Sequence, residues 1–207
     1  MKRQIMGSLP FLLVGLMVLG GCASSVNPSL DPWGTMRQVD GSVVWQEEYA
    51  FEPPPLPWRI LDLDETDISL AFFRGCKGDD PGSYPCESTF AYAEEPFGYS
   101  KELIQRQEEF FKRFLWAARV DFKPPQLRPL QILGEEGLEV VTEGIEPVLR
   151  HKVYCKVLLA RRGERVVAFH FTQWRAADEA YDLALVEDFD RFVDSFRFQK
   201  ISFYELL

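Results

Sequence analysis

Two stretches of the chain repeat apolar residues with the period of an amphipathic helix. The first, 100–121, begins at Ser100, a residue suited to an N-cap, and ends before Pro124. Its apolar positions recur three and four residues apart: Leu103, Ile104, Phe110, Phe111, Phe114, Leu115 and Ala118. The second, 179–195, carries a similar stripe that ends in Phe192 and Val193. We predict a helix over each stretch.

Most of the remaining chain alternates apolar and polar residues, which is the pattern of β-strands with one buried face. The predicted strands are 43–51, 58–63, 68–73, 89–93, 127–133, 138–144, 147–160, 166–174 and 198–204. Short turns join successive strands, and this favours an antiparallel meander. The predicted fold class is therefore α+β, an antiparallel sheet with the two main helices packed on it.

The first residues have the character of a secretory signal. Lys2 and Arg3 precede an apolar run that is too short to span a bilayer, and small residues follow it. Gly20-Gly21-Cys22 after this run resembles the lipobox of bacterial lipoproteins. The resemblance implies cleavage before Cys22, acylation of that cysteine and a lipid anchor. The alternatives are a transmembrane anchor, or a cleaved soluble protein with a chance cysteine.

The residue after the cysteine adds an expectation about location. In lipoproteins of Gram-negative cells an aspartate there tends to retain the protein at the inner membrane, and this chain has Ala23. We therefore expect the outer membrane, with the domain facing the periplasm. The predicted domain plan is a signal peptide over 1–21, the lipidated cysteine and a tether over 22–42, and one α+β domain over 43–207.

Charge disfavours one class of partner. The 207 residues carry a formal net charge of −9 at pH 7, and the basic residues of the signal peptide are lost on cleavage. An acidic body argues against nucleic acid and against an anionic lipid surface as partners. We expect the acyl chains to hold the protein at the membrane, and an envelope protein to be its partner.

The other cysteines fall in two settings. Cys76 and Cys86 flank a polar loop rich in glycine and proline, and in an oxidising compartment such a pair is expected to form a disulfide. A metal pair is the alternative, but the spacing is longer than in a CxxC knuckle and no histidine lies nearby. Cys155 alternates with Val153 and Val157, so we predict a buried thiol there rather than a catalytic one.

Two segments resemble PsbP-like and DcrB-like domains. They are Tyr49-Ala50-Phe51-Glu52-Pro53-Pro54-Pro55 followed by Trp58-Arg59-Ile60, and Asp188-Phe189-Asp190-Arg191-Phe192-Val193-Asp194-Ser195-Phe196-Arg197-Phe198. The order of the predicted elements between them agrees as well. The resemblance implies a non-enzymatic accessory to a membrane assembly, of a kind that is often lipid-anchored in bacteria. It marks packing positions, so no functional residue carries over.

Candidate chemistry rests on the two histidines. The chain has no HExxH, P-loop or GxGxxG motif. His151 and His170 both fall in predicted strands, where we expect partly buried side chains; the alternative is that they meet, with a carboxylate, as a metal or acid–base site. We expect a non-enzymatic binding or assembly module without a cofactor. The alternative functions are a periplasmic hydrolase, or a metal- or lipid-binding protein that uses the histidines or an apolar cavity.

Overall fold

The structure is a computed structural model, and it describes residues 41–45, 48–61, 68–75, 86–96, 120–163 and 165–199. Within these residues the chain forms eleven β-strands and one α-helix. The strands are β1 (Val43–Trp45), β2 (Tyr49–Phe51), β3 (Arg59–Leu61), β4 (Ile68–Arg74), β5 (Ser88–Pro96), β6 (Asp121–Phe122), β7 (Gln126–Ile132), β8 (Glu135–Ile145), β9 (Lys152–Arg162), β10 (Arg165–Arg175) and β11 (Arg197–Phe198). The helix is α1 (Leu183–Ser195).

Eight of the described strands form one antiparallel sheet. Their order is β3-β4-β5-β10-β9-β8, and β6 and β7 both pair with the remaining edge of β8. A two-residue connection joins β9 to β10, because Arg162 pairs with Arg165. This connection fixes the register of the two central strands and places Thr172 directly opposite Cys155. The strands β1, β2 and β11 form a second, smaller antiparallel sheet.

A second tight turn joins β7 to β8. Leu133 and Gly134 both have positive φ, 55° and 85°, which is the combination that a type I′ turn requires. Hydrogen-bonded and non-hydrogen-bonded pairs alternate outward from this turn. Pro129, opposite Leu138, falls in a non-hydrogen-bonded pair, so its nitrogen faces away from β8. The proline therefore removes no hydrogen bond from the ladder.

One face of the large sheet is packed with aromatic rings. The ring centroids of Phe72 on β4 and Phe90 on β5 are 4.8 Å apart. Phe192 of α1 contacts Phe90 at 5.1 Å, and Phe51 of β2 contacts Phe192 at 5.3 Å. All four residues are buried. The helix and the smaller sheet therefore cover this face together as a second layer.

The opposite face of the large sheet carries smaller side chains, which are buried as well. Its main cluster contains Leu138, Val140, Cys155, Val157, Leu159, Val166 and Ala168, with Phe122 packed against it. Because both faces are buried, every residue of β10 from 166 to 174 is inside the protein. The sequence assigned Val167, Phe169 and Phe171 to one face of this strand, and burial of both faces is typical of a strand inside a covered sheet.

The predicted fold class, a sheet with two main helices packed on it, is wrong. Among the described residues strands dominate, and α1 is the one α-helix. It begins later than the predicted helix 179–195, because the carboxylate of Asp182 caps it by accepting the N–H of Ala184. The predicted helix 100–121 lies outside the described residues except at its end, where Asp121 starts β6 instead. Pairing with Ile145 of β8 overrides the helical periodicity at that point.

Most predicted strands differ from the observed ones by a few residues at their ends, and two differ more. The predicted strand 43–51 is two strands, β1 and β2, which pair with each other so that Val43 lies opposite Phe51. The predicted strand 147–160 starts too early, since β9 begins at Lys152. Pro147 lies in the turn before it, where its missing N–H interrupts no ladder. The predicted strand 198–204 is described only up to residue 199, where β11 contains Phe198.

Candidate functional site

The first candidate histidine lies in a buried polar cluster with a thiol and a hydroxyl. His170 and Thr172 are two residues apart on β10 and share a face, and Cys155 of β9 is opposite Thr172. Nε2 of His170 lies 3.3 Å from Sγ of Cys155 and 3.1 Å from Oγ1 of Thr172. All three residues are at most 3% exposed. Alternation in the sequence predicted which residues share a face on β9 and on β10. Predicting that Cys155 contacts His170 and Thr172 also requires the register between the two strands.

Burial controls the ionisation of this cluster. It lowers the pKa of His170 to about 3 and raises the pKa of the Cys155 thiol. Both groups are therefore uncharged at neutral pH, and a neutral imidazole nitrogen suits O–H and S–H donors. A nucleophilic cysteine needs a lowered pKa and access to substrate. The prediction that Cys155 is a buried thiol is confirmed.

The second candidate, His151, does not approach the first. His170 lies opposite Val157, so about six residues of strand, or roughly 20 Å, separate the two imidazoles. The alternative in which the two histidines meet at one site therefore does not hold. Nδ1 of His151 is buried without a hydrogen-bond partner, although the residue as a whole is half-buried. Within the described ranges, no group of three His, Cys, Asp or Glu side chains is arranged to hold a metal ion.

The connection between β8 and β9 presents apolar side chains to solvent. We name residues 145–150 the β8–β9 tip. Within it Ile145 is 45% exposed, Val148 78% and Leu149 54%. Single exposed aliphatic residues are common on protein surfaces, but three within five positions of one turn mark a surface available for contact.

A buried carboxylate holds the β8–β9 tip in shape. Oε1 of Glu146 accepts the N–H of Val148 at 2.9 Å, and Oε2 accepts the N–H of Leu149 at 2.5 Å. The N–H of Glu146 donates to the carbonyl of His151 at 2.8 Å and closes the turn. Glu146 itself is only 6% exposed. Sequence reasoning missed this surface; the available signal was Glu-Pro, a turn-forming pair, directly before two aliphatic residues.

Two acidic residues of α1 bind the rest of the domain. Oδ1 of Asp190 lies 2.5 Å from Nζ of Lys156 on β9, whose side chain is 11% exposed. Oδ2 of Asp188 accepts the indole N–H of Trp58 at 2.9 Å. These bonds fix the helix on the aromatic face, so the acidic pattern has a structural role at these positions.

The predicted lipidation site and one predicted disulfide partner, Cys22 and Cys76, lie outside the described residues. Cys86 is buried just before β5. The N–H of Glu87 donates to the carbonyl of Gly75 at 3.4 Å, so β4 and β5 bring together the two ends of the intervening loop. This geometry is compatible with the disulfide, which stays a prediction. No helix in the described part of the chain combines the length and apolar character needed to span a bilayer.

No protein-family model matches the chain, and no curated protein matches it. Several solved structures resemble its fold. Cyanobacterial PsbP (CyanoP) from Synechocystis sp. PCC 6803 is 13% identical with a TM-score of 0.46, over 73% of this chain and 87% of that one. LpqN from Mycobacterium tuberculosis, described as involved in cell envelope biogenesis, is 13% identical with a TM-score of 0.46, over 72% of this chain and 82% of that one.

A third solved structure, of a protein from Bacteroides thetaiotaomicron, is 10% identical with a TM-score of 0.46. The match covers 77% of this chain and 48% of that longer chain. The predicted resemblance to PsbP-like domains is confirmed as a likeness of fold. Nothing about activity or partners follows from likenesses this distant.

Proposed function

We propose that the protein is a lipid-anchored, non-enzymatic binding module at the periplasmic face of the outer membrane. The observation that carries the proposal is the β8–β9 tip, where Val148 and Leu149 are more than half exposed on a turn fixed by Glu146. Rigid presentation of apolar side chains reduces the conformational entropy lost on binding. An anchor at Cys22 would keep this surface at a high effective concentration near its target.

The surroundings of His170 favour this function over the hydrolase alternative. A general base must be reached by its substrate and must take up a proton near neutral pH. Burial opposes both requirements at His170, since it excludes solvent and lowers the pKa to about 3. His151 keeps partial exposure, so a hydrolase would have to depend on His151.

The first test asks whether a partner covers the β8–β9 tip when the protein is in the cell envelope. Val148→Cys protein is treated with a hydrophilic maleimide in cells whose outer membrane is permeabilised. Glu136→Cys, an exposed position of β8 near its opposite end, is the matched control. We expect slow labelling at 148, fast labelling at 136, and equal labelling after denaturation. Equal rates at both positions in native cells would contradict the proposal.

The anchor is tested separately, by mass spectrometry of the mature amino terminus. We expect a chain that begins at Cys22 and carries a diacylglycerol thioether and an amide-linked acyl group, with 22–42 as tether and 43–207 as the domain. An unmodified Cys22 would show that the proposed location is wrong, whatever the labelling of the tip.

A further inference from the structure

We propose that the β8–β9 tip inserts into the lipid of the membrane that carries the anchor, and thereby sets the orientation of the domain. The inference rests on the proposed function for the anchor at Cys22, and it adds the chemistry of the surface that the tip contacts. The inserted side chains are those of Val148 and Leu149, in the turn beyond the last paired residues of β8 and β9, and that of Ile145, which is the last paired residue of β8.

The shape of the tip suits a fluid partner. Its aliphatic side chains are exposed at the connection between two strands, and a protein partner would need a pocket that fits them. The acyl region of a bilayer accepts protruding aliphatic groups without a preformed pocket, and their removal from water drives the contact. Insertion also requires that backbone donors be satisfied. Glu146 already accepts the N–H groups of Val148 and Leu149.

Basic side chains beside the tip can contact phosphate head groups. Arg150 is exposed, and His151 and Lys152 follow it. The carboxylate of Glu146 is turned inward to the backbone. The chain as a whole is acidic, with a net charge of −9, and its acidic regions are repelled by anionic lipid. Asp121 of β6, which is exposed and pairs with the last residue of β8, adds one negative charge beside these basic residues. Screening limits the repulsion of acidic regions to about 8–10 Å, and the anchor holds the domain at the membrane, so Arg150 and Lys152 can contact phosphate groups there.

The length of the chain lets the anchor and the tip reach the same bilayer. Gly41 lies beside Ser195, at the carboxyl end of α1. The tip is at the other end, since the ring of Tyr181, just before α1, lies 4.9 Å from Nζ of Lys152. The strand β9 is about 37 Å long. Roughly twenty residues separate Cys22 from Gly41, and a chain of that length spans up to about 65 Å.

The experiment uses the full lipidated chain in vesicles of phosphatidylethanolamine and phosphatidylglycerol. A nitroxide is attached to Val148→Cys or, as the control, to Glu136→Cys. Electron paramagnetic resonance measures collisions of each nitroxide with oxygen, which concentrates in the acyl region, and with a nickel chelate, which stays in water. We expect the ratio of oxygen to nickel collisions to rise several-fold at 148 on reconstitution and to stay unchanged at 136.

Two further variants link the result to the side chains of the tip. In the Val148→Cys protein, Leu149→Asp removes an inserted leucine, and we expect the inserted fraction to fall by at least about tenfold. Leu127→Asp, at an exposed position of β7, should leave it unchanged. Both sites are exposed, so neither change affects the core. Equal losses in the two variants would contradict insertion through the tip.

The outcomes separate this inference from the proposed function. A collision ratio at 148 that stays equal to the ratio at 136 overturns lipid insertion. If position 148 is nevertheless protected in cells, the binding module stands and its tip contacts an envelope protein. A missing anchor is recognised independently, because the protein then fails to float with the vesicles.

Discussion

The cluster around His170 and the tip beside His151 show two fates of a histidine in a strand pattern. His170 lies on a central strand with both faces buried, and its imidazole bonds a thiol and a hydroxyl. His151 lies where strand pairing ends, next to aliphatic side chains that are exposed and a carboxylate that is turned inward. The local alternation of apolar and polar residues is similar around the two histidines. The position of each residue in the sheet therefore decides whether its side chain is buried in the core or lies at the surface.

The largest difference is expected when each histidine is truncated. His170→Ala leaves a cavity and removes the partner of Cys155 and Thr172, so we expect the free energy of unfolding to fall by about 2–4 kcal/mol. His151→Ala, at a half-buried position, should lower it by less than about 1 kcal/mol. Urea denaturation of both variants measures the difference. Similar losses would contradict the contrast between the two environments.

The pH dependence of stability sharpens the same contrast. Burial lowers the pKa of His170 from 6.5 to about 3, so between these values the unfolded chain binds a proton that the folded chain does not. His170 therefore makes stability fall as pH decreases from about 6.5 to 3, by up to about 1.4 kcal/mol per unit. We expect a shallower fall for His170→Gln, measured by urea denaturation across this range. Parallel profiles would show that the imidazole titrates in the native state.

A smaller effect is expected from the carboxylate inside the tip. Glu146→Ala leaves the N–H groups of Val148 and Leu149 without their acceptor, and we expect a loss of about 1–2 kcal/mol in the free energy of unfolding. Glu143→Ala is the matched control, since Glu143 pairs with Lys123 on the surface. We expect Glu143→Ala to lower the free energy of unfolding by at most about 1 kcal/mol. Amide hydrogen exchange at positions 148 and 149 should accelerate only in the Glu146 variant.

The smallest effect is expected at the apex of the tip. Val148 is 78% exposed, so Val148→Ser should change the free energy of unfolding by no more than about 0.5 kcal/mol. Thermal and urea denaturation measure it. A loss as large as that of His170→Ala would mean that the side chain packs inside the folded domain.

Much of the sheet was predictable from the sequence because strands carry a short-range signal. The alternation around Phe169 and Phe171 placed β10, and that around Cys155 placed β9. Register was harder, because it depends on the length of the turn between Arg162 and Arg165, which was predicted too long. If the turn is assigned two residues, counting paired positions outward from Arg162 and Arg165 places Thr172 opposite Cys155 and predicts the cluster with His170.

The tip and the helix content were not predictable by the same reasoning. Periodicity at 100–121 indicates helix, but pairing between Asp121 and β8 is a long-range interaction that local periodicity does not report. At the tip, alternation continued through 147–160 and concealed a turn. Only the carboxylate of Glu146, folded back on its own backbone, shows why the chain leaves the sheet there.

The proline in β7 has a consequence for crowding. When copies of a protein are crowded, an exposed strand edge can pair with the edge of a neighbouring copy and extend the sheet between molecules. Pro129 presents no donor at the open side of its strand, in the middle of the length that a neighbouring copy would have to match. One proline thus disfavours edge-to-edge pairing between copies of this domain.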